Sequence, residues 1–570
     1  MQYQWFYKYP GKDEKVEALA KSLKIGIPNA RLLMQRGIET FDQARDFFRP
    51  KLELLHDPYL MKDMDKAVDR LTRALSRNEK VLVYGDYDVD GTTSVALVYS
   101  FLKQFTQNID YYLPDRYTEG YGVSFKGIDY AKENNCKLII TLDCGIKANT
   151  KIDYANELGI DTIICDHHLP GEHLPKAIAI LDSKQSECSY PDKDLSGCGV
   201  GFKFMQAFAI KNDIPIEETY PLLDLVAVSI ASDIVPIVGE NRIMAYHGLK
   251  ILNSNPRIGL QSLIQVSDIQ DHIIEISDIV FKIGPRINAA GRLESARKSV
   301  ELLLEQDYAK AMQYAKSINL VNTERKNLDH QITEEAIQML SSSEELKQRK
   351  TTVICNEEWH KGVLGIVASR LLEHYYRPTI VLTETNGILT GSARSVNGFN
   401  IYEAIDACSD LLEGYGGHMY AAGLNLKKEN FTAFKDRFED IVNSNITNDL
   451  LIPKIEVDLK IEIDDIDRKF FSVISQMAPF GPGNLKPVFV VQHVHDAGNS
   501  KIVGKDQSHL KVSVTKANTT QKLDGIAFGQ SQHFDTIKNG AFSVVGSLYQ
   551  NDFRGQTNIE LEIKDIQACD

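Results

Sequence analysis

The sequence predicts an α/β protein of several domains, in which a parallel sheet comes first and a small β-barrel comes last. Apolar runs of strand length alternate with helical segments over residues 80–180. A long polar helical stretch follows at 300–346, and short β-like runs dominate after residue 453. A chain of 570 residues is too long for one core and suggests roughly three to four domains.

The changes in pattern along the chain place the domain boundaries, and each predicted domain is one continuous stretch. The predicted domains are a helical lead-in over 1–75, a first α/β domain over 76–255, a helical connector over 256–346, a smaller α/β domain over 347–450 and a C-terminal barrel over 451–570.

The first α/β domain contains five apolar runs that are long enough for strands. Helical segments separate them, and this alternation is typical of a parallel sheet with helices on both faces. A later apolar segment that ends at Pro236 indicates a buried helix with Asp233 near its end. The five strand-like runs are VLVYG, NIDYYLP, KLIITLDCG, DTIICDHHLP and AIAILD.

The remaining elements follow in order. The stretch over 300–346 has neither Gly nor Pro, and a helix that long with a thin apolar stripe usually bridges domains. Strand, helix and strand patterns then resume and begin the smaller α/β domain, which contains the glycine-rich stretches GSARS and GGH. Five short strands with turn residues between them follow, and an OB-fold barrel fits that count.

Three carboxylates, Asp86, Asp88 and Asp90, follow the first buried strand at alternate positions. An extended chain shows every second side chain to one face, so the three could converge on one point. Carboxylates that close repel each other unless a multivalent cation lies among them. A helix start is predicted at Gly91, which puts this candidate metal site at the carboxyl end of a strand, where open α/β sheets bind ligands.

Two known loop types share part of the acidic triplet's pattern, and neither fits it. The pattern DxDxDG also begins a calcium-binding EF-hand loop, but that loop needs Glu at its twelfth position, which here is Leu97. A phosphate-binding P-loop needs a GK[ST] sequence, which is absent. A solvated acidic turn is the remaining alternative when the triplet is considered alone.

Two further strand ends add ligands of the same kind. The third strand-like run ends in Asp143, and the fourth ends in Asp166, His167 and His168. Because the carboxyl ends of parallel strands share one sheet edge, these residues and the acidic triplet can meet. Carboxylate and imidazole ligands suit Mn²⁺, or more weakly Mg²⁺, and their number favours two ions. The cluster therefore predicts metal-assisted hydrolysis of a phosphoester.

Composition limits the remaining classes of function. The net charge of −14 argues against indiscriminate nucleic-acid binding but does not exclude a local basic groove. No apolar run approaches the ~20 residues that span a membrane, and the first residues lack the pattern of a signal peptide. The eight cysteines form no CxxC pair, which fits a reducing cytoplasm.

The motifs GDYDVDG, LDCG, CDHH and ASDIVP, in that order, resemble the four motifs of the DHH phosphoesterase superfamily. Six more segments resemble one branch of that superfamily, bacterial exonucleases specific for single strands. Together the resemblance covers nearly the whole chain. These segments are LPDRYTEGYG, GPRINAAGRL, HKGVLGIVASR, GSARS, GGHMYAAG and MAPFGPGNLKPVF.

The resemblance implies a parallel-sheet DHH catalytic domain, a long linker helix, a smaller α/β DHH-associated domain and an OB-fold barrel. Relatives often carry His where Tyr84 stands, and a phenol is a poor Mn²⁺ ligand at neutral pH, so Tyr84 is left out of the ligand set. His168 is expected to contact phosphate, and the implied catalytic set is Asp88, Asp90, Asp143, His167 and His168. The implied metal ligands are Asp86, Asp88, Asp90, Asp143, His167 and Asp233.

The resemblance also implies a set of DNA contacts. Arg116 with Ser392 and Arg394 would hold a 5′-terminal phosphate, because guanidinium binds phosphate bidentately and a glycine-rich turn offers N–H groups. The other implied DNA contacts are Arg286, Asn288, Gly416, Gly417 and His418. The barrel offers basic and aromatic candidates for contact with a single strand, namely Lys501, Lys505, Lys511, Arg554, Tyr549 and Phe553.

The sequence thus predicts a Mn²⁺- or Mg²⁺-dependent exonuclease that degrades single-stranded DNA from the 5′ end and releases 5′-mononucleotides in recombination and repair. Single-strand-binding protein and a repair helicase are the expected partners, and no membrane is expected. One alternative is a DHH phosphodiesterase that acts on cyclic dinucleotides or short oligonucleotides. The other alternative is a non-catalytic replication scaffold.

Overall fold

The computed structural model describes residues 3–9, 11–293, 295–516, 519, 521–553 and 555–569. Arg554 and the side chain of Phe553, both predicted to contact a strand, lie outside the described residues. The chain forms two compact units. The smaller unit contains Ala289–Ser295 and Lys316–Ile455, and the larger contains Trp5–Asn288, Ala296–Ala315 and Glu456–Asp570.

The N-terminal region of the larger unit is mainly helical, as predicted, and begins with a short strand. Its first three helices bury their apolar faces in the same core as the C-terminal barrel, where Val16 and Leu32 belong to one cluster with Phe489. The two distant ends of the chain therefore form one folded body. The elements are β1 (Gln4–Tyr7), α1 (Asp13–Leu23), α2 (Ile27–Met34), α3 (Phe41–Phe48) and α4 (Met64–Ser76).

A five-stranded parallel sheet forms the centre of the larger unit, and its strands are the five predicted apolar runs. Their order is β3-β2-β4-β5-β6, and every pairing is parallel. Helices follow most of the strands, which confirms the predicted alternation. The elements are β2 (Lys80–Gly85), α5 (Val89–Leu102), β3 (Ile109–Tyr112), α6 (Phe125–Glu133), β4 (Cys136–Leu142), α7 (Asn149–Glu157), β5 (Asp161–Cys165) and β6 (Ala179–Leu181).

A group of helices follows the sheet. The predicted buried helix is α9, whose side chains from Leu223 to Ala231 are all buried, and Asp233 lies just beyond its last residue. A π-helical turn at Ile279–Ile283 separates two of the helices. The elements are α8 (Gly197–Lys211), α9 (Leu223–Ser232), α10 (Gly239–Leu252), α11 (Ile258–Val266), α12 (Ile276–Asp278), α13 (Gly284–Leu293) and α14 (Arg297–Leu304).

The long helix is α15 (Tyr308–Ser342), which has 35 residues and a length of about 52 Å. Its predicted start near residue 300 is wrong, because the chain is extended at Glu305 and begins a new helix afterwards. Asp307 caps that helix by accepting the Lys310 N–H at 2.8 Å. A short helix, α16 (Glu344–Gln348), follows. In the described parts of the chain, no helix combines the length and apolar character needed to cross a membrane.

The smaller unit contains a mixed five-stranded sheet in the order β10-β11-β9-β8-β7. The pair β7 and β8 is parallel and the other pairs are antiparallel. GSARS and GGH lie within strands of this sheet, so the predicted glycine-rich turn at GSARS is wrong. The elements are β7 (Thr352–Cys355), α17 (Leu364–Tyr375), β8 (Thr379–Thr385), β9 (Ile388–Arg394), α18 (Ile401–Asp406), β10 (Gly414–His418), β11 (Ala421–Lys427) and α19 (Phe431–Asn445).

The C-terminal region is a β-barrel. The five predicted strands form a closed ring, β14-β18-β19-β17-β16, in which the pairing of β14 with β16 completes the circle. Two short strands, β13 and β15, extend the sheet beyond the predicted five. The elements are β12 (Lys454–Val457), β13 (Leu459–Lys460), α20 (Arg468–Gln476), β14 (Phe489–Asp496), β15 (Lys501–Val503), β16 (His509–Thr515), β17 (Leu523–Ala527), α21 (Phe534–Lys538), β18 (Phe542–Phe553) and β19 (Gln556–Ala568).

Candidate metal centre and phosphate-binding residues

The carboxyl edge of the parallel sheet collects the predicted ligands, because three neighbouring strands end there. Asp86 directly follows β2, Asp143 directly follows β4, and Asp166 and His167 directly follow β5. All four side chains are buried. Parallel pairing therefore brings together residues that are up to 81 positions apart in the sequence.

The acidic triplet reaches this edge by a different route from the one predicted. The chain is not extended through the triplet, because α5 begins at Val89, two residues before the predicted start. Asp88 caps the helix by accepting the Gly91 N–H at 3.0 Å, and Asp90 lies in the first helical turn. A tight turn, and not strand alternation, brings the carboxylates together.

Asp90 is the most firmly held of the candidate ligands. Its Oδ2 accepts the Gly197 N–H at 2.6 Å, and its Oδ1 accepts the Cys198 N–H at 2.8 Å, both at the start of α8. The Ser229 hydroxyl of α9 donates to Oδ1 at 2.7 Å. A Cβ at Gly197 would lie 2.7 Å from the Cβ of Asp143, so this position requires glycine. Gly197, Cys198 and Ser229 belong to no recognised motif, and their contacts with Asp90 were not predicted from the sequence.

His167 lies between the other ligands. Its Nε2 is 3.1 Å from Asp143 Oδ1, 3.6 Å from Asp233 Oδ2 and 3.8 Å from Asp90 Oδ2. The ring is buried, yet neither nitrogen has a hydrogen-bond partner in the described residues. Asp86 shows the same feature, since its Oδ2 is buried without a partner while Oδ1 accepts the Gly122 N–H at 2.9 Å. Unpaired buried polar atoms of this kind fit metal ligands.

The ligand atoms fall into two groups that share His167. One group contains Asp143 and His168, the other contains Asp90 and Asp233, and within each group the candidate ligand atoms lie within 4.8 Å of one another. Since Asp166 holds His168 Nδ1 at 2.7 Å, we assign His168 to phosphate and not to an ion. This donor set of carboxylates and imidazoles fits two Mn²⁺ or Mg²⁺ ions. The structure therefore brings together the predicted set, with Asp86 and Asp88 beside the two groups.

The carboxylates are crowded enough to change their protonation. Burial, followed by the charge of Asp88, raises the pKa of Asp86 to about 8. Burial, followed by the charge of Asp90, raises the pKa of Asp233 to about 8. Burial and the neighbouring carboxylates also hold the pKa of Asp143 well above its usual range. Without ions the cluster retains protons, and bound cations would displace them.

His168 is oriented by Asp166, whose Oδ1 lies 2.7 Å from His168 Nδ1. Asp166 also accepts the backbone N–H groups of His167 at 2.8 Å and Ile146 at 2.9 Å, so it supports the site without facing an ion. Burial is the largest influence and opposes the charged form of His168, but the hydrogen bond to Asp166 and the charges of Asp166, Asp233 and Asp90 together outweigh it and raise the pKa of His168. His168 is therefore suited to donate to a phosphate oxygen.

Three neighbours complete the surroundings of the centre. The Tyr121 hydroxyl donates to the Asp143 carbonyl at 2.8 Å and lies 3.3 Å from His168 Nε2. The Lys184 ammonium donates to the His167 carbonyl at 2.6 Å. Arg116, a predicted phosphate contact, lies over the ring of Tyr87 at 5.0 Å and lowers the pKa of Asp86 against the dominant effect of burial. Tyr121 and Lys184 were not predicted from the sequence.

Tyr84 is not oriented as a ligand. Its hydroxyl donates to the Gly122 carbonyl at 3.0 Å and accepts the Ser124 N–H at 3.1 Å. Its ring stacks on Tyr112 with centroids 5.4 Å apart. The phenol is therefore a structural group in the core of the sheet.

Ser392 and Arg394 form a polar pair on β9 in the smaller unit. Arg394 Nη1 donates to the Ser392 hydroxyl at 3.0 Å and to the Ala393 carbonyl at 2.7 Å. A Cβ at Gly365 would lie 2.8 Å from Arg394 Nη2 and 3.0 Å from Ser392 Oγ, so the pair lies on the first turn of α17. A guanidinium, a hydroxyl and a helix N-terminus are suited to bind an anion.

The positions of the other predicted DNA contacts do not by themselves indicate DNA binding. Gly416, Gly417 and His418 lie on edge strand β10, where a Cβ at Gly417 would lie 2.4 Å from the Ala421 carbonyl oxygen. The close approach of β11 therefore explains the glycine at position 417 without any contact to DNA. Arg286 lies on α13 and donates to the Lys282 carbonyl at 2.7 Å, and the half-buried Asn288 lies on the same helix. Lys501 and Lys511 pair across β15 and β16.

Comparisons with known proteins match this arrangement. The model of the DHH family, N-terminal domain, matches residues 80–230, the DHHA1 domain matches 348–444 and the RecJ OB domain matches 457–565. The single-stranded-DNA-specific exonuclease RecJ of Bacillus subtilis (strain 168) is 38% identical over 569 residues, covering 99% of this chain and 71% of that protein. The chain belongs to the RecJ family. RecJ of Escherichia coli (strain K12) is 33% identical over 532 residues, covering 89% of this chain and 90% of that protein.

A solved RecJ structure shares the architecture. The crystal structure of RecJ in complex with Mn²⁺ from Thermus thermophilus aligns with a TM-score of 0.85 and 25% identity, covering 100% of this chain and 80% of that chain. The parallel-sheet domain, the smaller α/β domain and the OB barrel predicted from the sequence are thereby confirmed. Membership of the RecJ family identifies the chain as a metal-dependent nuclease.

Proposed function

We propose that the chain degrades single-stranded DNA from its 5′ end and releases 5′-mononucleotides by hydrolysis with two Mn²⁺ or Mg²⁺ ions. The observation that carries this proposal is the pair of ligand groups that share His167 at the edge of the parallel sheet. Curated relatives are named single-stranded-DNA-specific exonucleases, which supports the substrate class.

The residues of the centre divide the chemical work between them. Bound ions would lower the pKa of a water molecule and neutralise charge on the phosphoryl oxygens. Asp88, Asp90, Asp143, His167 and Asp233, with Asp86, would hold the ions. His168, fixed by Asp166, donates a hydrogen bond or a proton to the phosphate as negative charge develops on its oxygens.

The residues proposed to contact phosphate would determine that degradation starts at the 5′ end. In the smaller unit, Ser392 and Arg394 would bind the 5′-terminal phosphate, supported by their place on the first turn of α17. In the larger unit, Arg116 would contact phosphate beside the metal centre. Capture of a terminal phosphate would favour strands that carry a 5′-phosphate, which fits degradation from that end.

The remaining contacts would hold the strand and its protein partners. Arg286, Asn288 and the β10 residues Gly416, Gly417 and His418 would contact the DNA backbone. Lys501, Lys505 and Lys511 would add positive charge on the barrel. Single-strand-binding protein and a repair helicase are the proposed partners, which fits action on strands exposed during recombination and repair.

The test uses a long single strand labelled at its 3′ end, with either a 5′-phosphate or a 5′-hydroxyl, in the presence of Mn²⁺. We expect 5′-mononucleotides from the first minutes and progressive shortening of the labelled strand. Asp143→Ala should abolish hydrolysis and leave strand binding intact. Rapid cleavage of dinucleotides without shortening of the long strand would instead favour a short-substrate phosphodiesterase. Activity that survives Asp143→Ala would refute the metal assignment.

A further inference from the structure

The connection from Asp233 to Ile237 has little conformational freedom. Ile234 has a φ of 60°, in the left-handed region that β-branched residues rarely adopt. Val235 precedes a proline, which restricts it to extended conformations, and the ring of Pro236 fixes φ at that position. A displacement at Ile237 is therefore passed on to the metal-ligand candidate Asp233.

A loop of the C-terminal region, residues 477–484, lies directly on this connection. The Ile237 N–H donates to the Pro482 carbonyl at 2.6 Å. A Cβ at Gly481 would lie 2.5 Å from Ile237 Cγ1. A Cβ at Gly483, where φ is 74°, would lie 3.0 Å from Val238 Cγ1. The Ile237 side chain near position 481 and the positive φ at position 483 therefore favour glycine at both places in the loop.

The 477–484 loop is itself held firmly within the larger unit. Asn484 is buried, and its side-chain amide donates to the Met477 carbonyl at 2.9 Å, which closes the loop on itself. The Arg242 guanidinium of α10 donates to the Ala478 carbonyl at 3.0 Å. The loop therefore presents a fixed surface to the connection that carries Asp233.

We propose that the 477–484 loop, which leads into the OB barrel, positions Asp233 for metal binding. The loop is a positioning element, because its residues contact the connection and not the ligand atoms. This inference rests on the proposed two-ion function. It predicts that the group of Asp90, His167 and Asp233 binds its ion tightly only when the C-terminal region is in place.

The test measures Mn²⁺ binding to the full chain by titration calorimetry, with thermal unfolding followed in parallel. Gly481→Ala should weaken the binding of one ion per chain by about tenfold or more, the range found for groups that orient metal ligands. Asp233→Asn should weaken the same ion. Gly540→Ala is the matched control, because a Cβ there meets nothing within 4 Å among the described residues, and its Mn²⁺ binding should equal that of the wild type.

A double substitution separates positioning from general damage. Ile237→Ala removes the Cγ1 atom that a Cβ at position 481 would meet and leaves the Cβ of residue 237 at 3.7 Å, an ordinary contact. The chain with both Gly481→Ala and Ile237→Ala should bind Mn²⁺ more tightly than the chain with Gly481→Ala alone. If Gly481→Ala does not fold, Ile237→Ala alone tests the same contact, and weaker Mn²⁺ binding is expected.

Wild-type Mn²⁺ binding by a folded Gly481→Ala chain would overturn the inference. So would an equal loss in the single and double variants, or, where only Ile237→Ala folds, unchanged binding by that chain. A wild-type chain that binds no Mn²⁺ would instead overturn the proposed function, so the two failures are distinguishable.

Discussion

The metal centre and the Ser392–Arg394 pair are both polar sites, but the chain builds them in opposite ways. The metal centre draws side chains from the ends of β2, β4 and β5 and from α5 and α9, and backbone N–H groups from the start of α8. Its carboxylates repel one another when ionised, and Asp86, Asp90 and Asp143 are buried while Asp88 and Asp233 are half-buried. The Ser392–Arg394 pair comes from one strand, combines a cation with a hydroxyl, and needs only the first turn of α17 beside it.

This difference shows how each site depends on the rest of the molecule. The metal centre exists only when several distant elements are in register, and its charges favour either protonation or bound cations. In the Ser392–Arg394 pair, one guanidinium nitrogen already donates to Ser392 and to the Ala393 carbonyl without any ligand. Substitutions around the metal centre should therefore act on the rate and on ion binding, and substitutions in the pair should act on substrate affinity.

After Asp143→Ala, which should abolish hydrolysis, the largest effect is expected from His168→Ala. Loss of the donor that Asp166 orients should lower kcat about a thousandfold with little change in KM, because the group acts as charge develops. His173→Ala is the matched control, since that His is exposed and the variant keeps its carbonyl, which accepts from Asn149. Single-turnover digestion of a labelled strand measures the rate of the chemical step in both variants. A loss below tenfold would remove His168 from the chemical step.

Gly197→Ala should also act on kcat, by about a hundredfold, because its Cβ would displace Asp143 and Asp90 from their positions. Gly199→Ala in the same helix is the control, since a Cβ there makes only contacts of 3.4 Å or more. Steady-state digestion in Mn²⁺ compares the two variants. Equal activity in both would show that the centre tolerates displacement and would weaken the contrast between the two sites.

Arg394→Ala should raise KM for a 5′-phosphorylated strand about tenfold or more, since a hydrogen bond to a charged group contributes about 1.5–3 kcal/mol. It should leave KM for a 5′-hydroxyl strand unchanged. Arg394→Lys should recover only part of the affinity, because lysine lacks the bidentate fork. An equal increase in KM for both strands would show that the pair does not read the terminal phosphate.

The metal-free chain should lose stability as the pH rises from about 5 to about 8. Asp86 and Asp233 have pKa values of about 8 in the folded chain but ionise near 3.8 when unfolded. The unfolded state binds fewer protons in this window, so the free energy of unfolding falls, by up to about 1.4 kcal/mol per group and pH unit. Thermal unfolding in the presence of a chelator, repeated across this pH range, measures the decrease in the free energy of unfolding. Asp86→Asn should reduce it, and Mn²⁺ should reverse it.

The smallest effect is expected from Tyr84→Phe. Loss of the hydroxyl leaves the Ser124 N–H without its partner and should cost about 1 kcal/mol of stability. Mn²⁺ binding should not change. Weaker Mn²⁺ binding by the folded variant would return Tyr84 to the set of ligands.

The sequence could predict the sheet and the meeting of the main candidate ligands because parallel strands bring their ends to one edge. The apolar runs identified all five strands, and Asp143 and His167 followed directly from two strand ends. The turn at Asp88 could not be predicted, because capping depends on where the helix begins and the triplet has a strand-like spacing. Gly197 and Ser229 carry no signal because their role depends on tertiary packing alone.

In the smaller unit, the sequence indicated candidate residues but not the local structure around them. Ser392 and Arg394 were predicted to bind a terminal phosphate, but their glycine-rich stretch was interpreted as a turn. It lies in a strand paired on both sides, because β8 and β11 supply the partners that only the complete sheet provides. The break before α15 was missed because Asp307 acts through its cap and not through Gly or Pro.

The shared core of the N-terminal helices and the barrel has a consequence for synthesis on the ribosome. Helices α1–α3 end at Phe48, and the barrel strands that cover them begin at Leu459, roughly 410 residues later. At translation rates of about 5–20 residues per second, these helices wait roughly 20–80 s for their partner. Their apolar side chains lack this partner during that interval, so α1–α3 complete their packing only after the barrel strands have been made.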